Sequence, residues 1–493
     1  MASFTTLFNI GKSSILATQY GIETVSRNIA NANNPDYTRR EITLGDIVIG
    51  GNNLIEPIMG VQVTDIKRSC DSLLNNQIYD MRQSKAEWET KEQILEQLEV
   101  MLGEDTSLSI NESLQEFFNA WEILSQNASG IAERNELLSK TKILTQKMNE
   151  ISLMLNNFQF EIRGQIDITL EEINLTLEEL STLNFGIKKN SNRPELSSKE
   201  NLSSLLDERD RLLGELSDLV GTVRWDNNDM TLNIAVGGSS LLIDDILSSL
   251  HATFSSDADG QPIVTIKNTN SSNSEAEVRP DLLSGGKLKG LIDAYTEYIP
   301  AAKEKIDTLA YNLIVETNKL HEEGYNLYDI EDVSGAISTP FFKTLNEDKI
   351  MGAAGLIALS SEIADDPKKI AAALPLDPDA DPDPVTNPVH YDDNQNALRI
   401  AQLRDKRIND QTFNEYYASE LSHIGFEVKR AEDKREYFQS MYDQWWDRKQ
   451  VMSGVSLDEE YVNLIQYQST YTASATLISI ADEMLKTIID IVS

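Results

Sequence analysis

The side chains able to do chemistry in this chain are few and badly spaced for it. The four histidines, His251, His321, His390 and His423, lie far apart in sequence, without the short separations that metal-ligand sets use. Cys70 is the only cysteine, so it has no CxxC neighbour and no intrachain disulfide partner. Gly285-Gly286-Lys287 places a lysine after two glycines, yet a phosphate loop requires a hydroxyl residue next, and Leu288 stands there. The run from Asp377 to Pro384 alternates aspartates like a calcium loop. Its turn position holds Pro382 instead of glycine, and Pro388 occupies the place of the bidentate glutamate. An acidic, proline-stiffened surface loop accounts for it better. Paired acids such as Glu171-Glu172 and Glu178-Glu179 recur at helical spacing and read as a solvated face. No catalytic residue, cofactor or metal ligand is nominated.

With no reactive centre to position, the strongest pattern lies at the two ends of the chain. Phe8, Ile15, Ile22 and Ile29 recur every seven residues, and Phe4, Gly11, Thr18, Val25 and Ala32 fill a second column. The closing segment carries Leu457, Tyr461, Leu464, Tyr471, Ala475, Ile478, Ala481, Leu485, Ile488 and Val492, with Gln468 in one slot. Ser456 and Glu459 have the spacing of a capping box at its start. Helices with such stripes cannot bury them alone and need partners. The two ends are expected to pair, parallel or antiparallel, and to carry the subunit into a polymer. Phe4, Phe8, Ile15, Ile22, Val25 and Ile29 would meet Leu457, Tyr461, Leu464, Tyr471, Ile478, Leu485, Ile488 and Val492. The plainer alternative is a pair of ordinary helices inside a bundle.

Between the ends, the span 41–66 alternates as a hairpin linker, and helical period returns from Leu73 to Gly103 through Met81, Trp88, Leu95 and Leu102. A shorter helix bears Leu114, Phe117, Phe118, Trp121 and Leu124, with Ser109 and Glu112 suited to its cap. The longest pattern runs from Ile131 to about Ile187, a rod on the order of 80 Å. Pro194 breaks it before another helix rich in leucine, from Leu202 to Leu219. Short β-like runs and turn signals then fill 221–280. Helices resume at Leu288, and a return helix from Ala397 to about Val451 is expected to pack against the long one. The fold class is mainly α: an elongated antiparallel helical rod or coiled coil formed by both chain ends, with a small inserted β domain. The expected domains are 1–40 with 455–493, 41–220 with 281–454, and 221–280.

Charge narrows the partners. The chain has 80 acidic and 43 basic residues, a formal net charge of -37, which opposes phosphate-backbone binding and favours solubility. A polymer of such subunits must overcome its own repulsion through buried apolar contact. No apolar run is long enough to insert in a membrane, and no secretory signal pattern opens the chain, so a cytoplasmic default follows from sequence alone.

Both ends also carry a family likeness. The run Ser26-Arg27-Asn28-Ile29-Ala30-Asn31-Ala32-Asn33-Asn34-Pro35-Asp36-Tyr37-Thr38-Arg39-Arg40 resembles the N-terminal motif of bacterial flagellar axial proteins, with Asp36 where that family usually has glycine. The run from Ser453 to Leu464 is similar to the start of the matching C-terminal helix. Leu205-Leu206-Asp207-Glu208-Arg209-Asp210, Gly285-Gly286-Lys287-Leu288 and Gly324-Tyr325-Asn326 are similar to landmarks of the hook-associated branch. The resemblance implies a structural subunit at the hook-filament junction, with no enzymatic activity and no cofactor. It implies export through the flagellar type III apparatus without a cleaved signal. Paired terminal helices would form the innermost layer, long helices the next, and the β insert the outermost. Implied partners are copies of the chain in a ring or helical layer, hook protein and hook-associated protein 3. An export chaperone would cover the closing helix at Leu464, Tyr471, Ile478 and Leu485 before secretion. Alternatives are another axial protein of the hook-associated protein 3 or flagellin kind, a cytoplasmic coiled-coil adaptor, and a hydrolase decorating the flagellum. The last is opposed by the absence of converging acid, base or metal ligands.

Overall fold

The computed structural model describes residues 2–48, 58–103, 109–193, 195–227, 229–244, 246–270, 275–331, 339–345, 350–374, 389–408 and 410–492. Chain order begins with α1 (Ala2–Ala30), the hairpin β1 (Arg40–Val48) and β2 (Ile58–Arg68), then α2 (Ser72–Leu102) and α3 (Ile110–Gln126). Next come α4 (Ile131–Ser191), α5 (Leu196–Leu219) and a six-stranded meander. Its strands are β3 (Val223–Asp226), β4 (Leu232–Val236), β5 (Ser239–Ile243), β6 (Ile246–Ser256), β7 (Pro262–Asn270) and β8 (Glu275–Val278), each antiparallel to the next. Helix α6 (Lys287–Asp293) runs through a π turn at Ala294–Tyr298 into α7 (Ile299–Glu323). The short helices α8 (Leu327–Glu331), α9 (Ala353–Leu356), α10 (Ser361–Asp365) and α11 (Gln395–Ala401) lead to α12 (Phe413–Ser453) and α13 (Leu457–Val492).

Helix α4 is the spine. Its 61 residues make a rod of about 90 Å. Leu144, Met148, Ile151, Leu155, Phe158, Ile162, Ile166, Leu170, Ile173, Leu177 and Leu180 form one buried stripe at helical period, as the sequence pattern predicts. Two asparagines on the same helix act as surrogate strand partners for the sheet. Asn174 donates to the Leu250 carbonyl (3.0 Å) and accepts from its N–H (2.7 Å). Asn184 does the same for Leu232 at 2.7 and 3.0 Å. A buried backbone group left without a partner is costly, so these amides fix the sheet on the helix. Leu232, Ile234, Leu250 and Ile266 accordingly share one continuous core with α4.

Two features depart from the sequence reading. The return helix begins at Phe413, not Ala397, because Gln402–Asp405 is a 3-10 turn and a chain reversal follows it. Thr412 and Glu415 then form a reciprocal capping box, at 3.3 and 2.9 Å, that starts α12. Second, α12 packs chiefly along α2 and not along α4. The flank of α4 is already taken by α3, α5 and the sheet. Ser109 does accept the Glu112 N–H at 3.3 Å, as expected of the α3 cap. The acidic run 377–384, Pro194 and the break near Gly335 lie outside the described residues.

Candidate assembly surface at the chain termini

Helices α1 and α13 pack side by side and antiparallel, because partners of rising number on one have falling numbers on the other. A Cβ added to Gly11 would lie 2.7 Å from Ile478 Cγ1, and one added to Gly21 would lie 2.7 Å from the Tyr467 ring. Between them the Ser14 and Ser474 hydroxyls share a hydrogen bond of 2.6 Å. Gly11, Ser14, Gly21 and Asn28 are the contacts of α1 with α13, and the face of α1 turned to α13 and to the hairpin buries small and polar residues, Ala17, Thr18 and Thr24 among them, with Val25 the one larger aliphatic. Opposite them Glu460, Ser474 and Ala481 are buried. Glycine and serine let two helix backbones approach closely.

The predicted residues therefore divide. Val25 is buried and Ile478 packs on Gly11 between the helices, whereas Ile15, Ile22, Ile29 and Leu464 are half-buried. Phe8 is 45% exposed, and Leu457, Tyr461, Tyr471 and Leu485 are also exposed. The side chains of Phe4, Ile488 and Val492 lie outside the described residues. The seam column on α13 runs through Glu460, Tyr467, Ser474 and Ala481, of which the sequence pattern contained Ala481 alone. Beyond the expected residues, Leu7, Leu16, Tyr20, Ile465, Ile480 and Met484 also face solvent. In the isolated chain α1 thus meets α13 chiefly through small residues that seat Ile478 and Tyr467, and many large residues of both helices face outward.

Where this pair meets the body, the sequence motif ending in Arg39-Arg40 becomes a joint. Successive residues of an extended chain point to opposite sides. Arg39 reaches Glu460 of α13 at 2.8 Å and Glu459 at 3.0 Å, while Arg40 reaches Asp207 of α5 at 3.0 Å. Arg68, the cross-strand partner of Arg40, grips the same Asp207 at 2.8 Å and Asp210 at 2.6 Å. Asn28 closes the arrangement: it donates to the Arg40 carbonyl and to Glu460, and it accepts from the Arg40 N–H and the Tyr37 hydroxyl. Arg27 pairs with Glu200 of the body. Burial alone would lower the Arg68 guanidinium, but Asp210 and Asp207 outweigh it and hold it above its ordinary value. Arg39 is likewise raised, with burial opposed by Glu460. The N-terminal motif and the Asp207 to Asp210 landmark, remote in sequence, are the two halves of one contact. The Glu459 carboxylate that sequence spacing assigned to a cap goes to Arg39.

Elsewhere the candidate chemistry resolves into structure. The His321 ring is fully buried, donating from Nδ1 to the Thr339 carbonyl (2.7 Å) and accepting the Ala371 N–H at Nε2 (2.9 Å). Gly285 and Gly286 have φ of 151° and 86° and carry the chain from the sheet back to the body. There the Gly221 N–H donates to the Gly285 carbonyl and the Gly286 N–H to that of Gln83. Lys287 faces Glu172 at 3.8 Å, and Cys70 is exposed. Among the described residues no three His, Cys, Asp or Glu side chains group to hold a metal, and no helix is long and apolar enough to cross a membrane.

Comparison with known proteins agrees with this architecture. Residues 95–342 match the family described as the flagellar hook-associated protein FlgK helical domain, and residues 451–491 match the C-terminal family of the flagellar basal body rod FlgEFG proteins. Flagellar hook-associated protein 1 of Bacillus subtilis is 26% identical, over 96% of both chains. Its counterpart from Salmonella typhimurium is 23% identical, over 98% of this chain and 99% of the other. The solved flagellar hook junction protein FlgK from Burkholderia pseudomallei superimposes with a TM-score of 0.62 at 15% identity, over 77% of this chain and all of that one, a likeness of fold. With half of its length matched by the helical-domain family and its terminal helix by the rod family, the chain belongs to the FlgK family of flagellar hook-associated proteins, structural components of the bacterial flagellum.

Proposed function

We propose that this structural subunit of the hook-filament junction is built into the flagellum through the outward faces of α1 and α13, which pack against the terminal helices of neighbouring copies. One observation carries the reading: α1 meets α13 through Gly11, Ser14 and Gly21, with Ile478 and Tyr467 seated on the two glycines, and Phe8, Tyr461, Tyr471 and Leu485 are left facing water. Fully burying one large aliphatic or aromatic side chain contributes roughly 1.5 to 3 kcal/mol. A handful per neighbour therefore offsets the mutual repulsion of chains carrying a net charge of -37.

The neighbours are copies of the chain, with hook protein on one side and hook-associated protein 3 on the other. The terminal helices form the inner layer, the α2 to α12 body the next, and the sheet spanning 221–280 the outer. Before export, a chaperone in the cytoplasm shields the α13 face around Leu464, Tyr471, Ile478 and Leu485, because an uncovered apolar stripe invites premature association. The chain's contribution is mechanical, with no catalytic step. The test is incorporation of purified chain onto isolated hooks, with Tyr461→Asp and Leu485→Asp as variants. Both remain folded by circular dichroism and fail to incorporate. Wild-type incorporation by either variant would sink the proposal.

A further inference from the structure

The spine helix α4 has a second stripe that its own fold leaves uncovered. Leu153, Phe160, Ile168, Leu175 and Phe185 are 60, 73, 56, 56 and 64% exposed. At 100° per residue they fall within an arc of about 100°, on the side opposite the buried stripe. Asp167, Glu171 and Glu178 share this arc and are exposed. The segment from Leu153 to Phe185 holds six acids and one base, and that base, Arg163, is turned onto the Phe254 ring at 4.5 Å. The face is therefore apolar and acidic together. Gly164 lies in the same arc with open space beside it, so no described residue of this chain covers the stripe there.

A complementary face exists on α12. Phe426 and Tyr437, 64 and 56% exposed, flank a shallow depression of about 400 Å³ whose other walls are Lys429, Arg430, Lys434 and Asp433. Three cations and one acid line this depression, an excess of positive charge at its walls in a chain whose net charge is -37. Lys429 holds Glu432 and Asp433 of its own helix at exposed i,i+3 and i,i+4 pairs, which are weak and readily exchanged, while Arg430 pairs with the buried Glu427.

We infer that the acidic apolar face of α4 in one copy docks on the basic aromatic depression of α12 in the next. Two α4 faces brought together would set acid against acid, which disfavours a symmetric pair. Unlike faces on one molecule make a heterologous contact, and such contacts close into rings or continue as helices. The inference rests on the polymer reading above, but it concerns the body and not the terminal helices.

Crosslinking tests it in full-length chains carrying Cys70→Ser. One chain bears Phe160→Cys, a second Tyr437→Cys, and the two are mixed and incorporated onto isolated hooks under oxidation. A disulfide between the two kinds of chain is expected. Glu171→Lys with Glu178→Lys should weaken incorporation about tenfold, and adding Lys429→Glu and Lys434→Glu should restore it to within about threefold. Incorporation without the mixed disulfide overturns this contact and leaves the terminal-helix reading intact. A disulfide between two Phe160→Cys chains also overturns it, as does a protected but uncrosslinked Phe160→Cys, which would mark a different axial protein as the occupant. Failure of the unsubstituted chain to incorporate removes both.

Discussion

His321 shows how far a single side chain is committed to one protonation state. Nδ1 must carry the proton to reach Thr339, and Nε2 must be bare to accept from Ala371. Burial pushes the imidazole down to about 4 from its ordinary 6.5. The unfolded chain therefore takes up a proton here between those values and the folded chain does not. Its contribution to stability is complete above pH 6.5 and is lost as pH falls toward 4, a difference of about 3 kcal/mol. Urea titrations at pH 7 and pH 4.5 should show this loss in the wild type and a smaller one in His321→Gln. Asp207 is the corresponding residue at the joint. With side chains 6 and 7% exposed, Arg40 and Arg68 both depend on it. Asp207→Asn should destabilise by about 3 kcal/mol, since buried cations left without their carboxylate are costly. Differential scanning calorimetry checks this. An unchanged transition would mean that water replaces the carboxylate. Neither role was readable in sequence, because each depends on atoms brought together from distant segments. Sequence did single out the motif at Arg39-Arg40 and the one at Asp207 to Asp210, without indicating that they touch.

At the scale of elements, periodicity made most helices legible and misassigned the faces of two. The helix α4 spans the pattern that runs from Ile131 to about Ile187 and buries its apolar stripe, because a long helix among several neighbours buries whatever is largest and apolar. In α1 the same rule put two columns at the core: Gly11, Thr18 and Val25 of the second are buried, Phe8 of the first is exposed and Ile15, Ile22 and Ile29 half-buried, and the buried Gly21 and Asn28 belong to neither column. A helix whose outer face also has work to do can keep its large residues for that face and pack on its small ones. The partner of α12 was misjudged for another reason: helical period reports that a face is buried, never against what. Glycine substitutions test this account with opposite signs. Alanine is favoured over glycine in a helix interior by about 1 kcal/mol. Gly164→Ala, with nothing within 4 Å, should therefore raise stability by up to about that amount. Gly21→Ala meets three atoms of the Tyr467 ring at 2.7 to 2.9 Å and should loosen α1 from α13 despite the better propensity. Faster hydrogen exchange along both terminal helices, with the body unaffected, is the expected result. Equal protection in Gly21→Ala and wild type would show that Tyr467 simply turns aside.

For the whole molecule the decisive fact is that the continuous core runs from α2 to α12 and takes in the sheet, but among the described residues includes none of α1 or α13. The terminal pair is attached through the joint around Asn28, Arg39 and Glu460 and through the hairpin of β1 and β2, not through the main core. Such an arrangement lets the ends respond to neighbouring copies while the body stays folded, since local stability varies with how a segment is buried. A fragment spanning 39–455 keeps Arg40, Arg68, Asp207 and Asp210 together and loses the contacts made by Arg27, Asn28, Thr38, Glu459 and Glu460 and the packing of α1 on the hairpin. It should unfold cooperatively, with a midpoint within about 5 °C of the full chain by calorimetry. On isolated hooks the same fragment should not incorporate, because both apolar outer faces are gone and the net charge of the body remains strongly negative. A fragment that melts far below the full chain would mean that the terminal helices hold the body together. In that case apolar substitutions on them could no longer separate folding from assembly.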